Sequence, residues 1–297
     1  MSLAHARSGA LGKTLTVGRQ EFAGSAEREL KKLGFRRSAG ELYIDRLLVE
    51  HFGATSVDSL DYSDYEGATL LADLNLPVDQ AELTTFDSVI DFGSIEHVFD
   101  IVQALKNLVG LLSPGGIILH SSPTNGHSGH GFWQVSPSVF EGLYSKNQGF
   151  RDCEIFIAQD YGLFSGGTWW KVLPTSDRSN VLSPARTSVL CIATKNSETR
   201  RQESVAIQQL DYLEAWSDSN PSTSRSARLR SFIKELPFLG QVIRGLANML
   251  VVENSLGRAA LVACGSWLYP FRLSRTLRRL NFSKILKEAT DALISAR

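Results

Sequence analysis

The chain has 297 residues, 43% of them hydrophobic and 21% charged, with 24 glycines and three cysteines, a globular composition that excludes a collagen, a disulfide scaffold and a disordered tail. Its 31 basic and 31 acidic side chains cancel, yet they are unevenly placed: residues 1–224 carry 18 basic and 27 acidic groups, and residues 225–297 carry 13 and 4. A body of net −9 and a C-terminal region of net +9 are expected to meet different partners, because net charge governs association rather than fold.

Residues 13–17 (KTLTV) are a β-prone run ending at Gly18, and the polar stretch 19–37 reads as a loop and a solvated helix. Over 39–52, Leu42, Ile44, Leu47, Leu48 and Phe52 fall near helical spacing, with Gly53 as the stop. Short strands are expected at 55–60, 68–72 and 86–91. The clearest helix covers 98–112, where Val98, Ile101, Val102, Leu105, Leu108, Val109 and Leu112 make an apolar stripe that needs a sheet to cover. Ser113-Pro114-Gly115-Gly116 breaks it, and 117–120 (IILH) resumes as a strand. Strands and helices alternating with short links give right-handed crossovers and a parallel sheet. Two later β-rich runs, 153–159 and 187–194, are close enough in sequence to form an antiparallel pair at the sheet edge. Residues 217–228 are a Ser-rich stretch with a proline, and beyond it the apolar spacing predicts two helices broken at Pro237. The expected organisation is an α/β domain over 1–200, a linker over 201–228 and a basic helical region over 229–297.

Cys153, Cys191 and Cys264 show no C-x-x-C spacing and read as buried thiols in a reducing compartment. The first residues, MSLAHARSGALGK, lack the apolar core of about 7 to 15 residues of a secretory signal. The longest nearly apolar run, 259–271, falls short of the roughly 20 residues that span a bilayer. Cytoplasmic residence is therefore expected.

An open α/β sheet binds ligands outside the carboxyl ends of its strands. The residues that matter most are then Gly18-Arg19-Gln20, Asp61, Asp73-Leu74, Asp91 and Gly93, with Glu96-His97 close behind. A carboxylate after the second strand can accept hydrogen bonds from two adjacent ribose hydroxyls. One after the third can accept from an exocyclic amine such as that of adenine.

The chain resembles the class I S-adenosylmethionine-dependent methyltransferases over about residues 13–195, and its segment FDSVIDFGSIEHVFDIVQALKNLVGLLSPGGIILHSSP resembles their fourth strand, following helix and fifth strand. LTVGRQ, DYSDYEGATLLADLNLP and GHGFWQVSPSVF are similar to a subgroup associated with bacterial surface-polysaccharide and other glycan gene clusters. The resemblance implies a Rossmann-like sheet of order 3-2-1-4-5-7-6 with the seventh strand antiparallel, followed by a C-terminal helical extension. It implies S-adenosyl-L-methionine as cofactor, with Asp61 at the ribose hydroxyls and Asp73 and Leu74 beside the adenine. Thr16 stands where an acid is usual in the first motif and Gln20 where a second glycine is usual, and Arg19 is placed to meet the methionine carboxylate by a charge-assisted contact. Methyl transfer to an oxygen or nitrogen of a sugar, glycan intermediate or related small molecule is the expected activity. A non-catalytic binding or scaffold protein in a glycan-assembly complex is the alternative.

His120, His127 and His130 lie in HSSPTNGHSGH, with loose spacing and no carboxylate among them, so no metal is expected there. His130 is instead the expected general base, since methylating a hydroxyl requires loss of its proton, with Glu96 and His97 facing the acceptor. Phe132 and Trp133 are placed to stack on a sugar or to pack in the core. Trp169-Trp170 reads either as a wall of the acceptor pocket or as an edge strand with one face buried. Residues 38–146 hold 15 acidic against 3 basic side chains, a poor surface for nucleic acid. In the C-terminal region, 269–280 (YPFRLSRTLRRL) projects as a basic amphipathic helix. Such a helix suits packing on the acidic body, the anionic inner face of a membrane, or a protein partner.

Overall fold

The computed structural model describes residues 9–22, 27–79, 83–160, 168–172, 186–197, 206–209 and 277–279. These contain nine strands: β1 (Gly12–Val17), β2 (Ala54–Asp61), β3 (Leu70–Leu71), β4 (Phe86–Phe92), β5 (Leu112–Asn125), β6 (Phe150–Asp160), β7 (Thr168–Val172), β8 (Arg186–Lys195) and β9 (Leu277–Arg279). They form one sheet of order β3-β2-β1-β4-β5-β8-β6-β7-β9. Strands β1 to β5 pair in parallel, and β8 runs antiparallel to both β5 and β6. The expected order 3-2-1-4-5-7-6 with its antiparallel seventh strand is therefore present, extended by two further strands beyond β6.

The helices are α1 (Glu27–Lys32), α2 (Asp45–Phe52), α3 (Ile101–Leu111) and α4 (Pro137–Leu143). In the central strand β1, Thr14 to Val17 are all buried, as a strand covered on both faces requires. Leu47, Leu48 and Phe52 of α2 pack with Leu11, Phe35 and Ala54 in the core on one side, while Ala104, Leu105, Leu108 and Leu111 of α3 are also buried. At the end of α3 the half-buried Lys195 ammonium donates to the carbonyls of Val109 (2.8 Å) and Leu112 (2.7 Å). It satisfies acceptors that a helix C-terminus leaves open.

Several boundaries differ from the periodicity for tertiary reasons. Helix α2 begins at Asp45, six residues after the apolar pattern does, because Phe22 N–H donates to Leu42 O and Ile44 N–H to Gln20 O, pairing 42–44 with the loop after β1. Helix α3 begins at Ile101 because the Asp100 carboxylate caps it, accepting from Gln103 N–H at 2.9 Å. Ser113 to Gly116 do break the chain as expected, but inside β5: the register against β4 jumps from Phe86 opposite Leu112 to Ser88 opposite Ile117. Helix α4 was not anticipated, although Ser136 as cap and Pro137 at its first turn are an ordinary start signal.

Strands β6 and β8 are the expected antiparallel edge pair. Trp170 is buried on β7, its indole N–H donating to Gln159 Oε1 at 3.3 Å, so the tryptophan pair belongs to a strand with one face buried, next to the outermost strand β9. Leu277–Arg279 pairs antiparallel with β7 and corrects the helix expected over 269–280 at those three positions. The open backbone groups of an edge strand offer ladder partners that helical periodicity does not register. The remaining residues of that helix, the linker from 217 and the two helices around Pro237 lie outside the described residues, as do the membrane and protein contacts expected of them. The chain divides into two compact units, one of Met1–Leu173, Ala185–Ile207 and Leu277–Arg297, the other of Pro174–Pro184 and Gln208–Thr276. The second lies almost wholly outside the described residues. No helix among the described residues is long and apolar enough to cross a membrane.

Candidate active site

A cleft of about 1040 Å³ opens at the carboxyl ends of β1, β2 and β4, lined by residues that include Gly18, Asp61, Asp73, Leu74, Gly93 and His97. Gly18 turns the chain out of β1 at φ +69°, and a Cβ there would sit 3.1 Å from Ser94 Oγ and 3.8 Å from Asp61 Oδ2. The position admits little but glycine, and it leaves backbone exposed to the cleft. Ser94, another of the residues just after β4, anchors this corner by donating from Oγ to Val17 O at 2.5 Å.

Asp61 ends β2, and its Oδ1 accepts from Tyr62 N–H at 2.6 Å. Asp73 is held in a turn in which Oδ1 accepts from both the backbone and the side-chain N–H of Asn75, at 2.9 and 2.8 Å. Asn75 in turn accepts from Asp100 N–H. Each aspartate thus keeps one oxygen in its own turn and has the other without a partner among the described residues. Leu74 is buried beside them.

Gln20 does not obstruct this corner. Its side chain is buried and folds back, donating from Nε2 to Val17 O at 2.6 Å. Thr16 is fully buried within β1. Two expectations are corrected. Arg19 borders the cleft, but its guanidinium pairs with Asp45 at 2.7 Å, donates to Gly67 O and lies 4.1 Å from the Tyr43 ring centroid. Its charge is already matched, so it braces the loop instead of waiting for a carboxylate. Asp91 is wholly buried and does not line the cleft: Oδ1 accepts from the N–H groups of Ser94 (3.1 Å) and Ile95 (3.3 Å), and Oδ2 from His120 Nδ1 at 2.7 Å.

That last contact belongs to a closed chain. Because a carboxylate only accepts, Nδ1 of His120 carries the hydrogen, and Nε2 then accepts from Tyr144 O–H at 2.6 Å. Burial holds the Tyr144 hydroxyl well above its ordinary titration range, which keeps it a donor. The His120, Phe140 and Tyr144 rings cluster nearly parallel to one another, with centroids 4.8 to 6.0 Å apart. Every polar atom in the chain is used, as a buried network requires.

Glu96 sits in a 3-10 turn, Ile95–His97, that follows β4. It is 1% exposed, and its Oε2 has no hydrogen-bond partner among the described residues. Burial, with a contribution from Asp91, pushes its carboxyl up to about 7. Its Oε1 faces His130 Nε2 at 3.7 Å, and the His97 and His130 rings meet edge to face at 5.0 Å. Burial and the neighbouring His130 lower the His97 pKa. The loop carrying His130 is fastened to the same turn: Phe132 and Trp133 N–H donate to Glu96 O at 2.8 and 3.2 Å, and the Trp133 indole N–H reaches Val98 O and Phe99 O. Gly131, at φ +66°, allows that approach, since a Cβ would lie 2.8 Å from Glu96 O. Beside it Phe99 and Phe132 stack edge to face at 5.6 Å and are exposed, and Trp133 is 40% exposed. Of the expected residues, the fold therefore gathers Glu96, His97 and His130 at one place and Gly18, Asp61, Asp73 and Gly93 around one cleft, with His97 common to both.

No protein-family model matches this chain, and no curated protein does. Solved structures similar to it include an S-adenosylmethionine-dependent methyltransferase from Archaeoglobus fulgidus, at 13% identity over 63% of this chain and 87% of that one, with a TM-score of 0.36. A possible histamine N-methyltransferase from Thermotoga maritima matches at 12% identity over 66% and 89%, TM-score 0.33. The N-methyltransferase NodS from Bradyrhizobium japonicum matches at 14% identity over 65% and 91%, TM-score 0.37. At these values the likeness adds nothing to the functional reading, which rests on the sheet and the cleft.

Proposed function

We propose that this protein transfers the methyl group of S-adenosyl-L-methionine to an oxygen or nitrogen of a small-molecule acceptor, with a sugar or glycan intermediate as the favoured class. The observation that carries the reading is the cleft over β1, β2 and β4, where Gly18 leaves room only for backbone and the Asp61 carboxylate faces it. These residues fit the cofactor: Asp61 would accept from the ribose hydroxyls, Asp73 from the adenine amine, Leu74 would lie beside the base, and the Gly18 turn would admit the methionine moiety closely. When bound, S-adenosylmethionine supplies a methyl group on a sulfonium, which an attacking lone pair takes while the carbon–sulfur electrons return to sulfur.

The chain's own part is positioning and proton removal. His97 borders the cleft and stands against His130 and Glu96, which supports assigning to this group the orienting of the acceptor and the removal of its proton. Burial favours a neutral imidazole at His97, the form that can accept. The exposed rings of Phe99, Phe132 and Trp133 support a sugar acceptor, since apolar C–H faces of a pyranose pack on such rings.

Calorimetric titration with S-adenosylmethionine and S-adenosylhomocysteine tests the reading. We expect micromolar binding that weakens at least about tenfold, roughly 1.4 kcal/mol, in Asp61→Ala. An absence of binding up to millimolar concentration would sink the enzyme and leave the scaffold alternative.

A further inference from the structure

We propose that Glu96, His97 and His130 bind a divalent first-row transition-metal ion at the mouth of the cleft, and that this ion holds a pair of oxygen atoms on the acceptor. The second half rests on the methyl-transfer reading above; the metal site itself does not.

The sequence argued against a metal because no carboxylate lies within the histidine loop. The fold supplies one from elsewhere, the turn after β4. One ligand atom from each of Glu96, His97 and His130 lies within 4.8 Å of the others. Tetrahedral ligands at about 2.05 Å from zinc stand about 3.3 Å apart, so a modest closure completes the set. The two histidines are exposed and free to make that adjustment, while the carboxylate is the fixed member.

Glu96 is the independent pointer to a ligand. It is 1% exposed, and one of its carboxylate oxygens has no partner among the described residues. Burying a carboxylate oxygen without a partner is costly, and a metal ion satisfies it. The surroundings are built to keep the arrangement. Two backbone N–H groups from residues 132 and 133 bind Glu96 O, and Gly131 permits the close approach of the His130 loop.

Two imidazoles and one carboxylate favour zinc, manganese or iron over magnesium or calcium, which take all-oxygen sites. Three protein ligands leave coordination positions open, the pattern of catalytic rather than structural sites. Because His97 borders the cleft, those positions face the acceptor. Two oxygens on adjacent carbons, as in a vicinal diol or a hydroxy-carbonyl compound, would occupy them.

The test uses the full chain stripped with a chelator and titrated with cobalt(II), followed by visible absorption and calorimetry. We expect one ion per chain, ligand-field bands of a nitrogen and oxygen site, and affinity reduced at least about tenfold in both Glu96→Gln and His130→Ala. His130 lies on an exposed loop, so His130→Ala decides the matter if Glu96→Gln fails to fold. No band, or an affinity unchanged in His130→Ala, overturns the site. S-adenosylhomocysteine binding to the same stripped protein is measured separately. If it binds while cobalt does not, the metal site falls and the methyl-transfer reading stands; if cobalt binds alone, the reverse holds.

Discussion

Two acid and histidine sets leave the end of β4 only a few residues apart and have opposite characters. Asp91, His120 and Tyr144 are buried, aligned and complete, with each polar atom donating or accepting. Glu96, His97 and His130 combine a buried carboxylate, one of whose oxygens has no partner among the described residues, with two exposed imidazoles. The chemistry of the side chains is nearly the same. Their difference lies in satisfaction: a closed network stabilises one conformation, whereas an open one keeps capacity for a ligand.

Breaking the closed set should cost most. Asp91→Ala leaves two backbone donors and the His120 ring unpaired in the core, and we expect a loss of about 3 to 5 kcal/mol, read from urea midpoints. A stable Asp91→Ala protein with unchanged midpoint would contradict the assignment of this set to structure. Titration of Glu96 comes next. Its folded carboxyl is raised to about 7 from 4.5, so the folded state holds the proton more tightly than the unfolded chain does. Metal-free protein should therefore be most stable, as far as this group is concerned, below pH 4.5, losing up to about 3 kcal/mol as pH rises through 7. Denaturation across that range should show the slope in the natural protein and not in Glu96→Gln.

Smaller effects sharpen the contrast. Tyr144→Phe removes only the donor to His120 Nε2, and about 1 to 3 kcal/mol is expected, with cofactor affinity unchanged in calorimetry. His130→Ala should shift stability by less than about 0.5 kcal/mol, since its ring is more than half exposed, while lowering methyl transfer. A large stability loss there would move His130 from the open set to the closed one.

Much of the sheet was legible because its strands are short apolar runs punctuated by Asp, Gly and Pro, and because the α3 stripe is strongly periodic. Gly18, Asp61 and Asp73 were legible as strand-end residues, since a parallel sheet places all such ends on one side. Asp91 read the same way and was not a cleft residue, because whether a side chain turns inward depends on a histidine 29 positions later. Arg19 read as free charge, and only the packed structure brings Asp45 and Tyr43 to it. Gly131 carried no signal of its own, being a small residue whose use lies in what approaches it.

The sequence alone determined the alternation of strands and helices and the strand ends where a ligand can sit, because period and punctuation are local properties of the chain, while the order in which the strands pair was implied by the family resemblance. Tertiary structure decided which acids are satisfied and which are not. Partners such as His120 for Asp91 and His130 for Glu96 come from distant parts of the chain, a neighbouring strand and a loop, and hydrogen bonding and burial are settled by distance in space.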